Sequence, residues 1–151
     1  MLKINEFTIR ELGKKEFFKV QDSLRRQVFK EDHSLFPFQY LSEDEKQKVK
    51  ELNQESYEFY LGVFDKNNKF VAWHFGFQKD SHTFYMCNSA VLAEHRRKGL
   101  YTAMLNYTID SMKKKGFQIL LSRHNMTNNS VIIPKLKAGF VIAGLEVDDT
   151  F

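Results

Sequence analysis

Three consecutive cations and a glycine, Arg96–Lys98 and Gly99, lie between a predicted strand, Thr83–Leu92, and a predicted helix, Leu100–Lys115. The first amides of a helix have no partners within the helix, and the helix dipole adds partial positive charge at the same end. Such an end binds phosphate or pyrophosphate. The cations would add charge there, and Gly99 would let the backbone approach the ligand because glycine has no Cβ.

The segment around this loop resembles the acetyl-CoA signature of the GNAT superfamily of N-acetyltransferases. That signature is a strand ending in Val-x-Pro-Glu-x, then Arg/Gln-x-x-Gly-x-Gly/Ala, then a helix. From Val91 the chain reads Val-Leu-Ala-Glu-His and then Arg-Arg-Lys-Gly-Leu-Tyr. Ala93 replaces the usual Pro. Tyr101 replaces a small residue and adds bulk near the expected pyrophosphate path.

A second match follows at Asn128–Phe140, which resembles the family's Asn-x-x-Ala-x-x-x-Tyr-x-Lys-x-Gly-Phe helix and turn. The identical positions are Asn128, Lys137, Gly139 and Phe140. Val131 replaces Ala, and Lys135 stands where the family often has a Tyr that protonates the leaving CoA thiolate. The resemblance covers roughly the last two thirds of the chain, from Tyr57 onward.

The resemblance implies a GNAT-like α/β (α+β) sandwich, with a mixed, mostly antiparallel sheet that splays in the middle and helices on both faces. It implies direct transfer of an acetyl group from acetyl-CoA, bound in the splay, to a primary amine of a small molecule or peptide. A strand amide would stabilise the oxyanion, a contribution of ~3 kcal/mol. The implied cofactor-binding residues are Ser89, Val91, Leu92, Arg96, Arg97, Lys98, Gly99, Leu100, Tyr101, Thr102 and Asn128.

The sequence offers several candidates for the general acid and the general base and selects none of them. Lys135 and Tyr101 are candidates for the acid, because a lysine cation could also stabilise a thiolate. The candidates for the base are Glu58, His74, Tyr85 and a water relay. Proximity alone could do most of the work, at effective molarities of ~10⁵ M or more. The alternative function is a catalytically silent acyl-CoA-binding module, a sensor or interaction partner.

Length and composition favour one domain spanning residues 1–151. The net charge is +4 and the pI about 9.1, a mild basicity that suits an anionic cofactor and does not predict a nucleic-acid partner. The five histidines lack helical i, i+4 spacing, so no metal site is predicted. No signal peptide or ~18-residue apolar run is present, so we expect a cytoplasmic protein without a membrane partner.

The single cysteine, Cys87, excludes an intramolecular disulfide. Its neighbours in the predicted strand are apolar, which predicts a buried, inert thiol.

Periodicity predicts the elements that position these residues. The predicted strands are Glu6–Leu12, Tyr57–Phe64, Phe70–Phe77, Thr83–Leu92, Phe117–Ser122 and Val141–Val147. The predicted helices are Lys15–Phe29, one starting at Ser42 with a capping box to Glu45, Leu100–Lys115 and Asn128–Ala138. The family's usual last strand has no counterpart, so we expect a homodimer to cover the edge of Val141–Val147.

Overall fold

The computed structural model describes residues 1–28, 42–52 and 56–144. Within these ranges six strands form one sheet, in the order in which they occur along the chain. They are β1 Leu2–Ile4, β2 Phe7–Glu11, β3 Glu58–Phe64, β4 Phe70–Gln78, β5 Thr83–Val91 and β6 Ile119–Leu121. All neighbours are antiparallel except β5 and β6, which are parallel. The mixed, mostly antiparallel sheet predicted from the sequence is therefore confirmed.

In the described part of the chain four α-helices accompany the sheet: α1 Lys14–Val28, α2 Glu43–Leu52, α3 Leu100–Lys115 and α4 Asn129–Lys137. The predicted capping box begins α2. The Ser42 amide donates to Glu45 Oε2 at 2.8 Å, and the Glu45 amide donates to Ser42 Oγ at 3.3 Å. No helix in the described ranges is long and apolar enough to cross a membrane.

The two faces of the sheet carry different helices. Tyr60 pairs with Phe75 on one face, and α1 covers them through Phe17, whose ring centroid lies 5.0 Å from that of Tyr60. Residues two apart in a strand share a face, and so do directly paired residues. Leu61 and its partners Glu11 and His74 therefore lie on the opposite face. There α3 reaches the sheet, since Tyr107 of α3 donates to Glu11 Oε1 at 3.2 Å.

A one-residue bulge interrupts the pairing of β4 with β5. Phe75 pairs with Asn88 and Gly76 with Met86, which leaves Cys87 without a partner. The bulge turns Cys87 outward, and its side chain is exposed. The expectation of a buried thiol, drawn from apolar neighbours, is wrong because periodicity does not reveal an inserted residue.

Two ends of the chain differ from the sequence prediction. The first predicted strand is β2, but a second strand, β1, precedes it through a turn at Asn5, which has a φ of 49°. At the other end, residues 141–144 form no strand, so the prediction for Val141–Val147 is wrong over its described part. Val141 and Ile142 are 82% and 78% exposed, since no neighbouring strand pairs with them. Residues 145–147 lie outside the described ranges.

The homodimer predicted through that segment stays a prediction. Among the described strands, the edges of the sheet are β1 and β6.

Candidate functional site

The sheet opens between β5 and β6. The two strands pair only where Thr83–Tyr85 meets Ile119–Leu121, and beyond Tyr85 no described strand borders that side of β5. The amide of Leu92 donates to Val71 O on β4 at 3.0 Å. Amides alternate in direction along an antiparallel ladder, so those of Ser89 and Val91 point away from β4, into the opening. Two backbone donors therefore lie on the side of β5 that has no described partner strand.

The loop after β5 extends this polar edge. A short 3₁₀ turn, Ala93–His95, follows the strand, and Arg96 Nε donates to Val91 O at 3.1 Å. Arg97 has a φ of 60°, in the left-handed region. The side chains of Arg96, Arg97 and Lys98 are exposed. The loop thus presents cations at the end of the opening.

Gly99 is the N-cap residue of α3 and has a φ of 76°. No side chain caps this end, and the first turn holds no acidic residue, so its amides remain available as donors. A Cβ built on Gly99 would meet no atom within 4 Å. The left-handed backbone therefore favours glycine at this position, and the protein's own atoms leave room for a side chain. A close approach of the backbone to a ligand stays a prediction.

Lys135 of α4 is buried, with 5% of its surface exposed. Its Nζ donates to Ser122 Oγ and, at 2.8 Å, to His124 Nε2, both just after β6. Burial lowers the pKa of Lys135 to about 8. Burial and the nearby Lys135 charge lower the pKa of His124 to about 4. His124 is therefore neutral near pH 7 and accepts the lysine hydrogen.

His74 faces the same region from β4. It pairs with Ser89 across the ladder, and its Nδ1 lies 2.7 Å from Ser89 Oγ. The residue is 1% exposed, and its Nε2 has no hydrogen-bond partner among the described residues. Burial lowers its pKa to about 3, with a smaller contribution from the charge of Lys135. His74 and Ser89 therefore lie together beside the open side of β5, within range of the Lys135 charge.

Glu58 and Tyr85, the other candidates for the base, are not brought to this cluster. Glu58 shares the α1 face with Tyr60, whose hydroxyl donates to Glu58 Oε2 at 2.6 Å, and Lys14 Nζ donates to its Oε1 at 2.9 Å. Tyr85 pairs with Phe77 on that same face. His74 lies on the other face, so the sheet separates it from both.

The other predicted residues contribute in different ways. Leu92 and Leu100 have buried side chains, so only their backbone could touch a ligand. Thr102 is exposed in the first turn of α3. The Tyr101 hydroxyl is buried without a partner among the described residues, and burial raises its pKa. Asn128 begins α4, and its Oδ1 accepts from Ser130 Oγ at 2.7 Å.

Sequence reasoning missed Ser122 and His124 as members of the site. Their spacing of two at the end of a strand places both side chains on one side of the backbone, which was the available signal. What the sequence did not reveal is that Lys135, eleven residues beyond His124, turns inward to meet them.

Low pH should destabilise the protein by more than the protonation of its carboxylates alone would. His74 and His124 are neutral in the folded protein, while an unfolded chain protonates them below about pH 6.5. The unfolded state then binds more protons, so stability falls as the pH drops below that value. His74 alone should cost about 2 kcal/mol between pH 6.5 and 4.5. Urea unfolding at both pH values measures this loss.

The test variant is His74→Gln, and its control is His82→Gln, which changes an exposed histidine. The quantity compared is the loss of stability between the two pH values. The first variant should lose more of the pH dependence than the second, because His74 is buried and His82 is exposed. Equal slopes in the two variants would contradict the buried neutral His74.

The chain resembles known acetyltransferases both in its sequence profile and in its fold. The profile of the Acetyltransferase (GNAT) family matches residues 25–140. No curated protein matched the sequence. An aminoglycoside acetyltransferase from an uncultured soil metagenomic sample, solved with trehalose, superposes with a TM-score of 0.67 and is 18% identical. The alignment covers 97% of this chain and 95% of that one.

Two further structures resemble the chain. AAC(6')-Iy, solved with a bisubstrate analogue of CoA, has a TM-score of 0.68 at 13% identity, over 96% of this chain and 97% of that one. The ribosomal-protein-S18-alanine N-acetyltransferase of Escherichia coli has a TM-score of 0.64 at 23% identity, over 91% and 79%. These likenesses establish the fold, and the profile covers most of the sequence. The chain belongs to the GNAT acetyltransferase family.

Proposed function

We propose that the chain is a single-domain N-acetyltransferase that moves an acetyl group from acetyl-CoA directly to a primary amine. The observation that carries the proposal is the open side of β5, which leads through the loop of residues 92–98 to the uncapped start of α3. Ser89 and Val91 supply amides along that side, and Gly99 begins the helix. A thioester carbonyl and a pyrophosphate need donors of these two kinds along one path.

The residues fit acetyl-CoA by the chemistry of their donors. The amides of Gly99–Thr102 would receive the pyrophosphate, with Arg96–Lys98 supplying positive charge. The amide of Ser89 or Val91 would donate to the developing oxyanion. Leu92 does not share that role, because its amide is already bonded to Val71. Asn128 would border the far side of the opening, and no metal ion is needed for the chemistry.

The transfer step needs one proton donor and one acceptor. The amine nitrogen bonds to the acetyl carbon, the carbon–sulfur bond breaks, the amine loses a proton and the thiolate gains one. Lys135 would give the proton to the thiolate, since a pKa of about 8 keeps most of it protonated near pH 7. His74, with a pKa of about 3, is a poor base, so we assign the amine proton to a water relay.

The acceptor amine belongs either to a small molecule or to a peptide, and both classes are to be tested. The structures that resemble the chain include an aminoglycoside acetyltransferase and a ribosomal-protein alanine N-acetyltransferase. The acceptor would be chosen mainly by residues 32–56 and by the strand ends near Tyr57 and His74, and residues 32–41 and 53–55 lie outside the described ranges. A panel with aminoglycosides on one side and peptides with a free N-terminal alanine on the other covers both classes.

Acetyl-CoA should stabilise the folded protein by about 2.7 kcal/mol at 100 times its Kd. Thermal unfolding with and without the ligand measures this, and thiol release with the amine panel measures transfer. Stabilisation without thiol release would favour the silent acyl-CoA-binding module. No thermal shift at millimolar acetyl-CoA would contradict both functions.

A further inference from the structure

Lys135 has an ammonium group with three hydrogens to donate. Two are taken, one by Ser122 Oγ and one by His124 Nε2. No other acceptor among the described residues takes the third. The charge of Lys135 also lowers the pKa of His74 on β4, so the two groups interact electrostatically. The third hydrogen is thus the one left for a ligand.

The three side chains form a closed triangle after β6. Besides the two lysine contacts, Ser122 Oγ lies 3.0 Å from His124 Nε2. His124 accepts at Nε2, so this tautomer carries its proton on Nδ1. A lysine side chain ordinarily samples many rotamers, and two fixed acceptors remove that freedom before a substrate arrives.

We infer that Ser122 and His124 are positioning residues for Lys135, which hold its amino group by two hydrogen bonds and direct the third hydrogen at the leaving sulfur. The inference rests on the proposed function, in which Lys135 is the acid. Neither residue touches the reacting atoms, so both act only through Lys135.

Burial lowers the pKa of Lys135, and the acceptors around its amino group should oppose that effect. Those groups are Ser122 and His124 after β6, with the Phe140 ring centroid 5.6 Å from Nζ, and the Lys135 charge also acts on His74 of β4. None of the described carboxylates forms an ion pair with Lys135. Neutral hydrogen-bond acceptors are therefore the main polar groups that stabilise the Lys135 ammonium. Removing one of them disfavours the charged form of Lys135.

His124→Leu should lower the pKa of Lys135 by about one unit, because the ammonium loses an acceptor in a buried place. The direct measurement follows the Lys135 side chain by NMR in the protein without ligand, using ¹³C-labelled lysine. The missing signal in Lys135→Met assigns the resonance. In the kinetic experiment, the alkaline limb of the kcat/KM profile should shift to lower pH by the same amount. The Kd of acetyl-CoA should be unchanged.

His124→Gln and His82→Leu are the comparisons. The glutamine carbonyl can accept the same hydrogen bond, so His124→Gln should restore the titration of Lys135 toward that of the natural chain. His82 lies in the exposed turn before β5, and its change should move neither the titration nor the pH profile.

An unchanged Lys135 titration in His124→Leu would overturn the inference, whatever the activity. Equal shifts in the leucine and glutamine variants would also overturn it, because they would indicate a packing effect. A shifted titration in a protein that transfers no acetyl group would support the positioning role and refute the proposed function.

Discussion

Replacing Lys135 by methionine should lower kcat by about 10²–10³-fold, the usual contribution of a positioned general acid. Methionine has a similar length and no proton to give. The variant should bind acetyl-CoA almost as well as the natural chain, since the proposed phosphate-binding groups belong to the loop before α3 and to its first turn, not to α4. Steady-state kinetics with a measured acetyl-CoA Kd separates the two effects.

The fold should survive this change. In the natural chain Lys135 loses its proton at a lower pH when folded than when unfolded, so the unfolded state binds more protons between about pH 8 and 10.5. Burying the ammonium therefore costs stability below pH 8, by up to about 3 kcal/mol, and methionine removes that cost. Wild-type stability should rise as the pH increases through this window.

Lys137→Met is the matched control, because Lys137 lies on the same helix with an exposed side chain. It should leave kcat within about twofold, as surface changes usually do. If Lys135→Met keeps wild-type activity, Lys135 is not the acid, and Tyr101 becomes the candidate to test.

Replacing Gly99 by valine should weaken acetyl-CoA binding at least tenfold. Gly99 has a φ of 76°, a conformation that costs a β-branched residue more than the roughly 1–2 kcal/mol that ordinary residues lose. The loop would relax and move the first amides of α3 away from the phosphates. Calorimetric titration with acetyl-CoA measures the loss.

Gly99→Asn provides the control for this position. Asparagine adopts the left-handed conformation more readily than other residues, so this variant should bind within a few-fold of the natural chain. Equal loss in both variants would indicate that the added side chain, rather than the backbone, blocks the ligand. Wild-type binding by the valine variant would mean that the cofactor lies elsewhere.

Local signals in the sequence predicted most of the fold. The helix Leu100–Lys115 matches the structure at both ends, because a glycine lies at each boundary and cations occupy its last turn. Ser42 and Glu45 likewise mark the start of α2. Short strands were harder to predict. β1 has three residues and β6 three, and such lengths give too few alternations for a reliable pattern.

The candidate site was only partly predictable. The loop and the start of α3 follow from a contiguous motif, so a single stretch of sequence contains them. The cluster at Lys135 joins three separate segments, and only the folded sheet shows that His74 and His124 approach it. The bulge at Cys87 was equally hidden, because a one-residue insertion depends on how two strands pair.

Trp73 is the only tryptophan of the chain, and it is fully buried in β4. Its indole nitrogen donates to Asn88 Oδ1 at 2.8 Å, and its ring stacks on Phe70. Asn88 precedes Ser89, the first residue of the open stretch of β5 that supplies an amide. The protein therefore carries one intrinsic fluorophore, bonded to the strand that would meet the thioester. Its emission reports on that strand alone, without labels and without background from a second indole.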